Sequence, residues 1–535
     1  MAAGRPPRNA VPPLRRARRS AAMAAAALLL GAMLVAQDPA PATPSPHERA
    51  FAAERQGRWA DAADGFLALR AGEPHNAEWV IHAGKCLARA ARYREAIELL
   101  DAARRDFAGV DEIPAALAFA LLLQAENDPD LMHPEIPLAD AAEIAQQVLA
   151  RLPDDEDTRL VLAQTLYLQG HREEARAQAE EAARRHPQRA GAPTILGRIA
   201  LDSLRARLAA AAAGQPLDDD LDNATLAEQA RAAFAKAAAA DPTRAHPHVA
   251  LGELAWLLDQ PDEARHHLQE ALARDPEVRV DHAKLVGGLD LAARRDWYAA
   301  TRARYEALPD HQPAKAATLR FYEGVASYQL GDWRAAADSF AVAVRDNPAA
   351  SNSLYYLAMS AYNLGDQDAA EEHAAAYAAI SAPGFADVIR ALSGDQRGAV
   401  GAVVRFLGDR AYQGGRIARS RDLNHVTACL MDTADAWNNF AFLCRETGRF
   451  DEALTAYEYA LQKEPDSPQL LNDTGVVLHR HLGSPQQLDR ARLLYQRAIA
   501  AADKVLAARD TSAAARDQAN AAKANAEANL RDLAK

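Results

Sequence analysis

Residues 434–467 read ADAWNNFAFLCRETGRFDEALTAYEYALQKEPDS, and the spacing inside this stretch decides the fold. A first helix carries Trp437 to Cys444, Gly448 breaks it, and a second helix runs from about Asp451 to Lys463. Pro465 lacks an amide proton and fixes its own φ, so the second helix cannot continue through it. Ala453 is the small residue that lets the two helices approach, and Tyr457 supplies bulk toward whatever packs next.

The same landmarks recur at one interval. Ala62 and Ala96, Ala141 and Ala175, Ala230 and Ala264, and Ala336 and Ala370 are each 34 residues apart. The terminating prolines repeat it between Pro153 and Pro187 and between Pro242 and Pro276. Gly57, Ala91, Gly170, Gly331, Gly365 and Gly448 precede the second helix by a fixed offset. A helix pair of this size cannot bury its own apolar face, so copies must stack into one continuous, one-dimensional core.

On these residues the chain resembles the tetratricopeptide repeat family, whose unit is a 34-residue helix–turn–helix with this pattern. The resemblance implies an all-α, right-handed superhelical solenoid whose first helices line a concave wall. Residues 49–384 read as a repeat array with insertions near 127–137 and 205–223, and residues 434–510 as further repeats. Residues 279–312 look helical (Trp297, Tyr298, Tyr305) but lack most landmarks. Residues 385–433 scatter Gly394, Gly398, Gly401, Gly408, Gly414 and Gly415, and read as a degraded repeat, a hinge or an insertion. Residues 511–535 are rich in Ala, Asn and Lys and form either a capping helix, begun by Thr511 and Ser512, or a tail.

Composition agrees with an all-helical chain. Charged residues make up 25% and aromatics only 6%, alanine is abundant, and strictly alternating Val, Ile and Thr runs are hard to find. The formal charge of −12 becomes −18 once the six arginines of residues 1–36 are set aside. An acidic body of this kind is repelled by phosphate backbones and anionic headgroups, which argues against nucleic acid as partner. Cys86, Cys429 and Cys444 are odd in number and widely spaced, so no disulfide framework or CxxC pair is read.

The N-terminus reads as a delivery signal. A basic, proline-broken stretch to Ser20 precedes an apolar run from Ala21 to Ala36, and a polar, proline-rich linker, 37–48, follows. Sixteen helical residues span about 24 Å, short of a ~30 Å hydrocarbon core, which favours a cleaved signal peptide, 1–36, over an anchor. No cysteine ends the run, so it is not a lipoprotein signal. The expectation is export to the periplasm or outside the cell, with no membrane insertion after cleavage; membrane anchoring by an uncleaved segment is the alternative.

No HExxH, P-loop, GxSxG or GxGxxG is present. The histidine pairs His246/His248, His266/His267 and His479/His481 are one or two apart, so their rings diverge on a single helix and read as surface residues. Asp218, Asp219, Asp220 and Asp222 lack the glycine turn and closing Glu of a calcium loop and read as a solvated acidic turn. No catalytic residue, metal or cofactor is assigned. An enzyme would need its site in 385–433, among Asp409, Arg410, Tyr412, Arg416 and His425, or in an inter-helix pocket.

The better expectation is a scaffold for a protein or peptide partner. Phe321, Val325 and Tyr328 on one first helix, and Tyr355, Met359 and Tyr362 on the next, are spaced four then three and so share a helix face. Each member matches its counterpart 34 residues later. Aromatics and Met anchor interfaces, and Asn352 and Asn363 stand nearby to bond a ligand backbone. The resemblance turns this face into the groove; the alternative is that the rings pack on one another.

Overall fold

The computed structural model describes residues 44–215, 222–349, 351–510 and 512–535. These residues form twenty-five α-helices and no strand, an all-α helical-repeat solenoid. The expected signal peptide (1–36), most of the linker and the run Asp218–Asp220 lie outside the described residues. No helix among those described is long and apolar enough to cross a membrane.

The chain divides into two compact units, Met1–Ala240 and Asp241–Lys535. In the first unit the helices are α1 (Pro46–Arg55), α2 (Trp59–Gly72), α3 (Ala77–Arg89), α4 (Tyr93–Asp106) and α5 (Glu112–Asn127). They continue as α6 (Glu135–Arg151), α7 (Glu156–Leu168), α8 (Arg172–Arg185), α9 (Gly191–Ala212) and α10 (Asn223–Ala240). The second unit begins with α11 (His246–Leu257), α12 (Pro261–Leu272), the four-residue α13 (His282–Leu285), α14 (Leu291–Glu306) and α15 (Pro313–Leu330). Next come α16 (Trp333–Asp346), α17 (Ser351–Asn363), α18 (Gln367–Arg390), α19 (Gly394–Gln413) and α20 (Ile417–Met431). It ends with α21 (Ala434–Glu446), α22 (Phe450–Lys463), α23 (Pro468–Val477), a π-turn at Leu478–Leu482, α24 (Pro485–Ala507) and α25 (Ala513–Leu533).

The landmarks behave as their chemistry requires. Ala62, Ala96, Ala141, Ala175, Ala230, Ala264, Ala336, Ala370 and Ala453 expose no surface. A Cβ at Gly324 on α15 would stand 2.8 Å from the Phe340 ring on α16, so only glycine admits that ring. Gly57, Gly170, Gly331, Gly365 and Gly448 all have positive φ, and Ala91 takes the same conformation at φ 59°. Asp332 and Asp366 then cap the second helices by accepting the amides of Ala335 and Ala369.

The two irregular stretches resolve differently. Within 279–312 the first helix has shrunk to α13, and α14 carries Tyr298 and Tyr305 into the core. In 385–433, α18 runs on to Arg390 past a break at Ser381 (φ −159°, ψ 96°), and α19 and α20 form a helical hairpin. That hairpin keeps the repeat's internal offsets. Gly408, Gly415 (φ +72°) and the fully buried Ser420 are spaced like Gly324, Gly331 and Ala336. Gly408 follows Ala358, its counterpart on α17, by 50 residues, the regular 34 plus 16. The extra residues are the kinked end of α18 and the start of α19. At the C-terminus α25 is a packed helix, capped by Ser512 and buried through Ala519, Ala522 and Ala526.

Candidate functional site

The eight residues singled out from the sequence meet in the second unit, on α15 and α17, but the structure sorts them into three groups. Tyr355 and Met359 are each only 3% exposed. Phe385, on the kinked end of α18, covers Tyr355 at 5.9 Å between ring centroids and stacks on Tyr377 at 4.7 Å. These two therefore belong to the core. Phe321, Val325, Tyr328 and Tyr362 are half-buried, and Asn352 and Asn363 are exposed.

Aromatic packing holds the half-buried group. Phe321 lies 5.9 Å from Phe340 and 5.8 Å from Tyr356, and Tyr328 lies 4.9 Å from Trp333 and 5.3 Å from Tyr356. Burial pushes the Tyr328 phenol up, partly offset by a side-chain hydrogen bond with Asn363. Asn352 accepts a hydrogen bond from the Tyr377 hydroxyl at 3.1 Å. Both amides are thus already tied to tyrosines, which fixes the rings' orientation.

Register extends this face beyond the expected pair of helices. Tyr328, Tyr362 and Tyr412 each stand four residues after the small residue of their own helix (Gly324, Ala358, Gly408), and Arg445 does so after Ala441. Tyr362 reaches Phe406 at 6.3 Å, and Tyr412 reaches Phe442 at 6.4 Å, over which the Arg445 guanidinium lies at 5.2 Å. Phe406 and Tyr412 are 43% and 48% exposed, the most accessible rings of the series. Phe406 is absent from the residues singled out in the sequence, and Tyr412 stands there only as a polar candidate, because 16 extra residues hide the 34-residue spacing; the Gly408–Gly415 offset of seven is the signal that places both in the row. Aromatic side chains and Arg are the residue types enriched where protein surfaces meet partners.

Of the polar residues of segment 385–433, Arg410 and Arg416 turn to a carboxylate of the preceding helix, while Tyr412 and His425 pack on other rings. Arg410 and Arg416 bind Glu371, at 2.7 and 2.5 Å, and Arg419 lies 3.6 Å from the same carboxylate. Glu371 exposes no surface. Desolvation opposes its charge, but Arg416 and Arg410 outweigh that and hold its carboxyl below the usual range. His425 stacks on Phe440 at 4.1 Å, and Tyr412 faces Phe442. Burial pushes the Cys86 and Cys444 thiols up to about 12. Among the described residues, no group of three or more His, Cys, Asp or Glu is placed to hold a metal ion.

Comparison with known proteins bears on four stretches of the array. A family model described as tetratricopeptide repeat matches residues 48–111, 321–384 and 445–505, and a second of the same description matches 138–198. No curated protein matches the chain. Among solved structures, a thermophilic TPR protein from Thermus thermophilus shares 17% identity over 47% of this chain and 98% of its own, at a TM-score of 0.27. The APC/C hetero-tetramer Cut9–Hcn1 matches at 12% identity over 89% of this chain and 95% of that one, with a TM-score of 0.25. MamA matches at 16% identity over 34% and 95%, with a TM-score of 0.19.

Proposed function

Because this chain is a tetratricopeptide repeat protein, a scaffold class for protein–protein interaction, we propose that it holds its partner on the aromatic row of the second unit. One observation supports that choice of face: Tyr328, Tyr362 and Tyr412 occupy one register position on three successive first helices, and the last of them is half exposed. The family resemblance turns that position toward the groove. Buried aromatic anchors carry most of the energy of such contacts, each often worth more than ~1–2 kcal/mol.

The test compares wild type with the double substitution Tyr362→Ala and Tyr412→Ala, each in affinity capture from an envelope fraction and in thermal unfolding. Loss of the captured protein with helicity and melting retained is the expected result. Capture that persists sinks the assignment of this face.

We also propose export. Six arginines before the apolar run Ala21–Ala36, and a polar, proline-rich stretch after it, support a cleaved signal. N-terminal sequencing of native protein is expected to begin near Gln37, in a fraction outside the cytoplasm. An intact Met1 on cytosolic material excludes cleavage and export together, and an intact Met1 on membrane material leaves the anchored alternative.

A further inference from the structure

We propose that the α11–α12 hairpin is an acid-sensitive element, opened when His248 takes a proton against the His267 imidazole packed beside it. Along either helix the histidines diverge, but the fold brings His248 of α11 against His267 of α12, which in turn packs beside His266. The His248 ring lies 5.9 Å from His267, which lies 5.3 Å from His266.

The polar surroundings favour a neutral ring. His248 Nδ1 is buried without a hydrogen-bond partner among the described residues. A neutral imidazole needs only one donor satisfied, whereas an imidazolium carries a donor on each nitrogen and has no acceptor here for the second. The groups acting on it are Arg274, from the turn after α12, and His267, Glu270 and His266 on α12. Of these, Glu270 attracts the cation, but its carboxylate is already shared between Arg274 at 2.7 Å and Arg304 at 2.5 Å. Glu263, 3.9 Å from His267, faces that ring.

Burial first, then Arg274 and the neighbouring imidazoles, hold His248 down at about 4, below its ordinary 6.5. The sign follows. The unfolded or opened hairpin binds the proton first, so its closure is fully supported above pH 6.5 and is lost as pH falls from 6.5 toward 4. In a stacked array each pair is held by its neighbours, so a loosened α11–α12 pair weakens the stacking at the start of the second unit.

The test is backbone hydrogen exchange on the full chain at pH 7.0 and 5.0, corrected for the chemical exchange rate. The helices of the α5–α6 pair contain no histidine and no histidine ring stacks on them, so that pair is the internal reference. Opening of α11–α12 is expected to rise about twentyfold at pH 5.0 relative to that reference. In His248→Phe the rise should vanish. An equal rise in α5–α6, or a rise that survives in the variant, overturns the proposal. Phe is bulkier than imidazole and is able to disturb the hairpin by itself, so a second readout uses the unaltered chain. There the His248 ring is titrated directly by NMR, and a midpoint near 6.5 overturns the proposal independently of the variant.

Discussion

Ala453 has no exposed surface and sits where α22 crosses α21, opposite the turn that Gly448 makes possible. Its methyl group sets the distance between the two helices. Ala453→Leu is therefore expected to overpack the crossing and cost roughly 1–3 kcal/mol in thermal or urea unfolding. Glu458 lies on the same helix and pairs with Arg490 at 2.5 Å, both half exposed to solvent. Such pairs contribute about 0–1 kcal/mol, so Glu458→Gln should be nearly silent. If the two substitutions cost the same, the register read from the 34-residue interval is out of step. At this scale the sequence was informative because the requirements are local. A positive φ selects glycine, a close crossing selects alanine, and a helix end tolerates proline.

Between elements, the fully buried Glu371 carboxylate on α18 is held by Arg410 of α19 and by Arg416 and Arg419 at the start of α20. It fastens the hairpin that follows the insertion to the repeat before it. Removing one partner of a buried charge cluster leaves the rest uncompensated, so Glu371→Gln should cost roughly 2–4 kcal/mol. The pH dependence has a defined sign. The folded carboxyl lies below its ordinary 4.5, so its contribution is present above pH 4.5 and fades as pH falls through the lower folded value. Urea midpoints of wild type and Glu371→Gln, measured from pH 7 down to pH 3, should converge at the acid end. A constant difference over that range excludes the clasp as its source. None of this was visible in the sequence, because partners 39 and 45 residues away leave no periodic trace.

At the scale of a whole compact unit the array is a chain of nearest-neighbour contacts, and its ends are where that chain is weakest. The last pair is covered by α25, through Ala519, Ala522 and Ala526 and through Asn529, whose Nδ2 donates to Asn472 Oδ1 at 3.0 Å. Deleting residues 509–535 should uncover Tyr495 and Ala498 on α24 and lower protection there first. Hydrogen exchange of the truncated chain is expected to rise in α23 and α24 while α15 and α16 keep their protection. Unchanged protection in α23 and α24 removes the capping role. By itself the sequence determined the class of fold, the length of the unit and the placing of its turns, because each depends on residues within one helix pair. Only the tertiary structure decided that Phe385 covers Tyr355, that α19 and α20 pair as a helical hairpin, and that His248 meets His267. Spacing along a helix specifies a face, but what covers that face comes from a different segment, through contacts that carry no period.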